Sequence, residues 1–390
     1  MENSNKIKRL PPYTLGEVRK SMIQERTKGI DVIDLGMGNP DRPTPQHIVN
    51  KLCEVVQDSK THRYSVSRGI FNARKAIVHR YKEDFDVDLD PETETITVIG
   101  AKEGISHLAL ALLDEGDVAL VPNPTYPIHL YSVVIAGGNL VSIPIESSNN
   151  FVIDLKKIRE QKFFPKPKLL IISYPHNPTT ACVDLKFFEE VVAFAKEQDM
   201  MVIHDFAYKD LTYDGYKAPS FLQAKGAKDV GVELFSLTKS YNMAGWRMAF
   251  ALGNSKIIAN LAKIKSYMDY GIFTPIQVAA ITALKSDQSC VKNIVETYRK
   301  RRDVLVEGLN KLGWQIEKPK ATMFVWAQIP SKFKDMKSLD FSLMLLKEAA
   351  VTTSPGIGFG EYGEGYVRFA LVENEERIKQ ALRSLKKIFL

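Results

Sequence analysis

Lys239 offers the most distinctive chemistry in this 390-residue chain. It closes the string Ser236-Leu-Thr-Lys239, which follows an apolar run at 232–235 and precedes Tyr241-Asn-Met-Ala-Gly-Trp-Arg247. A lysine held in a tight segment just past a strand end can form a Schiff base with a carbonyl compound. Three further apolar runs end in groups of complementary chemistry. The run at 200–203 leads into His204-Asp205 and on to Tyr208. That at 169–173 leads into Tyr174-Pro-His-Asn177-Pro178, and that at 95–99 into Gly100-Ala101-Lys102-Glu-Gly104. In an open parallel sheet such ends share one edge, where ligands bind. A helix opening near Lys102 presents free N–H groups and a dipole that suit a phosphate. One edge therefore receives a phosphate cradle, an amide, a carboxylate and a lysine.

Simpler readings of the same strings fail for want of companions. Ser-x-x-Lys as a hydrolase nucleophile motif needs Ser-Asp-Asn and Lys-Thr-Gly elsewhere, and neither occurs. The glycine clusters at 35–38 and 356–360 lack the spacing and the strand–helix context of a dinucleotide fingerprint. No phosphate-binding GxxxxGK[ST] and no GxSxG occurs. Cys53, Cys182 and Cys290 lie far apart and the seven histidines form no ligand pair, so no metal is expected.

The cofactor that needs the converging set is pyridoxal 5'-phosphate. Lys239 suits its aldehyde, and Asp205 can hold the proton on its ring nitrogen. Asn177 and Tyr208 can donate to its phenolic oxygen. Ala101, Lys102, Ser236 and Arg247 suit its phosphate, and Tyr126 its ring face.

These motifs together resemble the signature of the fold-type I pyridoxal-phosphate aminotransferases of class I/II. Asn177-Pro178, Asp205-x-x-Tyr208, Ser236-x-x-Lys239 with Arg247, Tyr64-Ser-Val-Ser-Arg-Gly69 and Val367-Arg368-Phe369-Ala370 carry the likeness, which runs from Leu10 to Ile388. The strings Arg9-Leu-Pro-Pro-Tyr13, Met37-Gly-Asn-Pro-Asp41, Lys265-Ser-Tyr-Met-Asp-Tyr-Gly271 and Ser354-Pro-Gly-Ile-Gly-Phe-Gly360 look most like the bacterial glutamate–pyruvate (alanine) branch. The resemblance implies ping-pong exchange between an L-amino acid and a 2-oxo acid, with Lys239, Asp205 and Tyr208 catalytic. It implies that Arg368, Asn177 and Gly38 bind the substrate. It also implies a homodimer with shared active sites, in which Tyr64 reaches the neighbour's cofactor phosphate. Aspartate or LL-diaminopimelate aminotransferase, or a C–S β-lyase on the same scaffold, are the alternatives. A regulator fusing this fold to a DNA-binding segment would need more chain ahead of residue 10.

The elements that must position these groups follow from periodicity. Strands are expected at 95–99, 118–121, 140–145, 169–173, 200–203 and 232–235, with helices at 102–113, 128–136 and 185–198 between them. This alternation predicts an α/β fold with a mainly parallel sheet, seven-stranded by the resemblance. After residue 286 the texture changes to helices at 291–312, 338–350 and 374–388 around strands at 323–327, 351–353 and 366–371, a smaller α+β domain. The expected division is an N-terminal arm with part of the small domain (1–45), a large cofactor-binding domain (46–285) and a small domain (286–390).

Composition bounds what else the chain can be. The 53 Lys and Arg exceed the 46 Asp and Glu by 7, with 45% hydrophobic residues, ordinary for a folded domain of this size. The basic runs at 6–9, 166–168, 299–302 and 386–387 fall mostly on amphipathic helices and are expected to be solvated faces. With no interleaved aromatics, no nucleic-acid partner is expected. The polar start is no signal peptide and no apolar run reaches membrane-spanning length, so the expectation is a cytoplasmic protein without a membrane partner.

Overall fold

The computed structural model describes residues 3–389. Seven strands form the central sheet: β1 (Thr95–Val98), β2 (Val118–Asn123), β3 (Asn139–Pro144), β4 (Pro167–Ile172), β5 (Met201–Asp205), β6 (Gly231–Ser236) and β7 (Ala249–Gly253). Their spatial order is β1-β7-β6-β5-β4-β2-β3. Only β7 runs against the others, pairing antiparallel with β6 and β1. Its first residues consequently lie at the edge where β1, β5 and β6 end. Periodicity places six of these strands individually. The seventh follows the motif 236–247 directly, as a short apolar run closed by Gly253-Asn254.

Alternate side chains of these strands enter the two layers of a first core, on opposite faces of the sheet. Leu120, Leu170, Ile172, Val202, Phe235 and Leu252 point into one. Ala119, Leu169, Ile171, Ile203, Leu234 and Ala251 point into the other. Burial on both faces explains why β4 reads as an unbroken apolar run.

A second core joins Ile33 and Leu35 to residues of the chain's last third, from Tyr298 to Leu385, together with Tyr208, Leu211 and Tyr213. Its sheet comprises β8 (Phe324–Gln328), β9 (Ser354–Pro355) and β10 (Tyr366–Ala370), antiparallel in the order β9-β10-β8. Ile33–Asp34 pairs in parallel with Val351–Thr352, and helix Thr14–Thr27 packs on helix Ser338–Ala349. The start of the chain is thus built into this smaller body.

One expectation requires correction. The run 299–302, on helix Ser289–Lys311, is not a solvated face throughout. Arg301 and Arg302 are each 1% exposed. Arg301 makes a fork to Asp41, 2.6 and 2.8 Å, and donates to Leu371 O. Arg302 makes a fork to Asp214, 2.6 and 3.2 Å. Adjacent helical positions can both be buried where a long helix is flanked on two sides, and the carboxylates come from loops remote in sequence, which periodicity does not register. Arg299 and Lys300 remain half-exposed or exposed.

Candidate active site

The C-terminal ends of five parallel strands open into one cavity of about 550 Å³. From β1 come Ala101 and Lys102, from β2 Tyr126, from β4 Asn177, from β5 Asp205 and Tyr208, and from β6 Ser236 and Lys239. Arg247, just before β7, joins them, as do Gly38 from the N-terminal segment and Arg368 from β10. Eleven of the twelve residues singled out from sequence therefore line one space. The twelfth, Tyr64, does not. It is 84% exposed and stacks on Tyr270 with ring centroids 4.4 Å apart.

Lys239 lies in the short helix Leu237–Ser240, which Ser236 opens by accepting a bond from Thr238 N–H. Its Nζ donates to Gly38 O at 2.8 Å. Burial, then the charges of Arg368 and Arg247, pull its pKa from 10.5 down to about 7. The amine is therefore poised between its two protonation states at neutral pH.

Asp205 is 6% exposed. Its Oδ2 lies 2.9 Å from His129 Nε2, and His129 Nδ1 lies 2.8 Å from Thr125 Oγ1. Its Oδ1 accepts Ala207 N–H at 3.2 Å. Thr125 and His129 were missed from sequence. Their i, i+4 spacing directly before and within helix Pro127–Ala136 was the available signal. Burial raises the pKa of Tyr208 and Tyr126, so both phenols keep their protons and can donate.

Arg368 is 5% exposed and has no carboxylate partner among the described residues. Nη1 donates to Asn177 Oδ1 at 2.8 Å, and Nη2 to Gly36 O and Ser354 Oγ at 3.2 and 3.3 Å. The guanidinium stands 3.9 Å over Phe324 and 4.5 Å over Phe359, and its Nε is buried without a hydrogen-bond partner. Burial lowers its pKa to about 10, still charged at neutral pH. A buried cation held by neutral groups and aromatic faces is a ready receiver for an external carboxylate. Phe324 and Phe359 had no sequence signal, because aromatic residues in a small-domain strand and loop look like core.

The cavity fits pyridoxal phosphate. Gly100 caps helix Ala101–Leu112 at φ +79° with no side chain on the first-turn N–H groups. A Cβ there would meet Arg247 Nη2 at 2.2 Å, so only glycine lets the arginine reach this turn. Free N–H groups, Ser236 and Arg247 thus border one recess, suited to a phosphate. Asp205, Lys239, Asn177 and Tyr208 offer the charge and donors that the ring substituents need.

Residues 30–385 match the model of the family "Aminotransferase class I and II". The chain is 55% identical to glutamate-pyruvate aminotransferase AlaC of Escherichia coli K12, over 98% of this chain and 93% of that protein. It is 45% identical to an LL-diaminopimelate aminotransferase of Moorella thermoacetica, over 100% and 98%. Among solved structures, apo-BacF of Bacillus subtilis superposes with a TM-score of 0.95 at 38% identity, covering 100% of this chain and 99% of that one.

Proposed function

The chain belongs to the aminotransferases of class I and II, and on that premise we propose that it exchanges amino groups between glutamate and pyruvate, forming 2-oxoglutarate and alanine, by ping-pong kinetics. It is a transaminase whose cofactor is pyridoxal 5'-phosphate. When bound, that group supplies an aldehyde that captures the amino group and a ring that withdraws electrons from the substrate Cα.

In this reading Lys239 Nζ, freed as a neutral amine, accepts the substrate's Cα proton and later returns it. Its depressed pKa supports that role. Arg368 grips the α-carboxylate with two parallel N–H bonds, beside Asn177 and the backbone of Gly38. Asp205 keeps a proton on the ring nitrogen, and His129 holds the carboxylate in place. Ala101, Lys102, Ser236 and Arg247 receive the phosphate, Asn177 and Tyr208 the phenolic oxygen, and Tyr126 covers the ring.

The observation that carries the reaction is Arg368, a buried cation with no anionic partner among the described residues, in the same cavity as Lys239. The choice of glutamate and pyruvate rests on the 55% identity to AlaC against 45% to the diaminopimelate enzyme.

The proposal includes a homodimer, supported by the large apolar side chains left exposed at Tyr64, Val66, Tyr267, Met268 and Tyr270, of which Tyr64 and Tyr270 stack on each other. Tyr64 would then serve the neighbour's cofactor phosphate. It assigns 46–285 to cofactor binding and 1–45 with 286–390 to the smaller unit, in keeping with the second core. It places the enzyme in the cytoplasm, in keeping with three free cysteines. Among the described residues no helix is long and apolar enough to cross a membrane.

The test is to mix the holo-protein separately with alanine, glutamate, aspartate and LL-diaminopimelate and follow the cofactor's absorbance for half-transamination. Alanine and glutamate should convert it. Conversion by diaminopimelate alone would overturn the assignment. Pyruvate and sulfide released from cysteine without an oxo acid would move it to a C–S lyase.

A further inference from the structure

The string Lys265-Ser-Tyr-Met-Asp-Tyr-Gly271 has no place in the cavity, yet its lysine is a deeply buried charge, 1% exposed. Lys265 Nζ donates to Glu103 Oε1 at 2.8 Å and to both oxygens of Asp269 at 2.9 and 3.2 Å. His107 Nδ1 lies 2.5 Å from the same Glu103 oxygen and 3.5 Å from Asp269 Oδ2. Ligand atoms of Glu103, His107 and Asp269 converge closely enough to hold a metal ion. The ammonium of Lys265 already bonds both carboxylates, so the cluster serves a lysine instead.

Both ends of this cluster lead to the cofactor machinery. Glu103 stands in the first turn of helix Ala101–Leu112, and its Oε2 accepts Ile99 N–H at 2.7 Å. That bond spans the Gly100 turn on which Arg247 rests. A carboxylate in the same turn as a phosphate cradle repels the phosphate unless a cation neutralises it, and Lys265 provides that cation. At the other end, Asp269 O accepts Ser67 Oγ at 3.4 Å and Gly271 N donates to Ser65 O at 3.2 Å. A Cβ on Gly271 would lie 2.1 Å from Val66 O, so the two segments are in direct backbone contact. Gln277 secures the same stretch, donating to Ser65 Oγ at 2.9 Å and accepting Ile70 N–H at 2.8 Å. Tyr64 precedes this stretch and stacks on Tyr270.

We infer that Lys265 is a positioning residue that joins a protomer's own phosphate cradle to the tyrosine it offers its partner, so that cofactor affinity depends on both together. The part concerning Tyr64 rests on the dimer proposed above.

The experiment titrates cofactor-free protein with pyridoxal phosphate and reads the dissociation constant from absorbance. Lys265→Met should weaken binding by about tenfold, because it leaves two half-buried carboxylates facing each other without a cation, and Lys265→Arg should recover most of that loss. Tyr64→Phe should cost less in the Lys265→Met background than in the wild type, the signature of coupled residues. Wild-type affinity in Lys265→Met, or penalties that simply multiply in the double variant, would overturn the inference. Should Lys265→Met melt below the assay temperature, Asp269→Asn replaces it, with about a threefold weakening expected because Lys265 loses its charged tie to the segment that carries Tyr270, and unchanged affinity counting against the idea. A wild-type protein that takes up no cofactor, or takes it up and transfers no amino group, would instead sink the functional proposal.

Discussion

Replacing Lys239 by methionine in the cofactor-free protein should stabilise it, and more at neutral than at alkaline pH. The unfolded chain holds the lysine proton up to about 10.5, whereas the folded chain releases it near 7. Between these values the unfolded state binds more protons, so wild-type stability rises with pH through this window. Below it both states are protonated and the whole penalty opposes folding. At about 1.4 kcal/mol per pH unit, that penalty is about 4–5 kcal/mol near pH 6.5, about 3 near pH 8 and about 1.4 near pH 9.5. Methionine keeps the aliphatic stem but strips Gly38 O of its 2.8 Å partner, which offsets about 1 kcal/mol. The net gain should then be about 3–4 kcal/mol near pH 6.5, about 2 near pH 8 and close to zero near pH 9.5. Urea unfolding of the two cofactor-free proteins at these three pH values measures it, because every other titrating group cancels in the difference. A difference that does not change with pH, or a wild type more stable than the variant near pH 6.5, would refute the buried, half-deprotonated amine and with it the proposed base.

Two further substitutions probe the other ends of the cavity. Arg368→Lys keeps the charge but loses the fork, so kcat/KM for alanine should fall by about 10- to 100-fold, equivalent to about 1.5–3 kcal/mol, while the dissociation constant for pyridoxal phosphate stays at its wild-type value; a fall in cofactor affinity of similar size would show that Arg368 serves the cofactor instead. His129→Leu removes the bond to Asp205 Oδ2 and should lower kcat by about tenfold, and Thr125→Ala, one bond further out, by less; steady-state rates showing the larger loss for Thr125→Ala would contradict the order of that chain.

The parts of the site that could be read from sequence are those whose chemistry sits immediately after a strand. Asp205, Asn177, Ser236 and Lys239 each follow an apolar run by a few residues, and parallel topology then brings them to one edge without further information. The helix start at Ala101 was legible for the same reason. Residues that act through a partner distant in sequence were not. His129 reads as one polar position in an apolar helix until Asp205, 76 residues on, is seen beside it. Phe324 and Phe359 read as core until Arg368 is found between them. The buried forks of Arg301 to Asp41 and Arg302 to Asp214 span 260 and 88 residues, and local charge patterning predicts the opposite, a wet surface. Strand β7 is a short apolar run between the motif ending at Arg247 and the Gly253-Asn254 pair, and its antiparallel direction is a fact of topology that no local pattern encodes.

The surplus of basic residues acquires a partial explanation at the cavity. Lining it are Arg19, Lys102, Lys239, Arg247 and Arg368, against Asp205 as the one carboxylate among the described residues. Burial lowers the pKa of two of these groups, Lys239 and Arg368, and at Lys239 the charges of Arg368 and Arg247 lower it further. Folding tolerates this arrangement because the sheets and the second core fix the backbone independently of it. A phosphate and a substrate carboxylate bring the anions the cavity lacks, so their binding relieves repulsion as well as forming hydrogen bonds. Burial first, and this repulsion second, bring the pKa of Lys239 down to about 7, so the charges suited to a phosphate and a carboxylate also tune the amine proposed as the base.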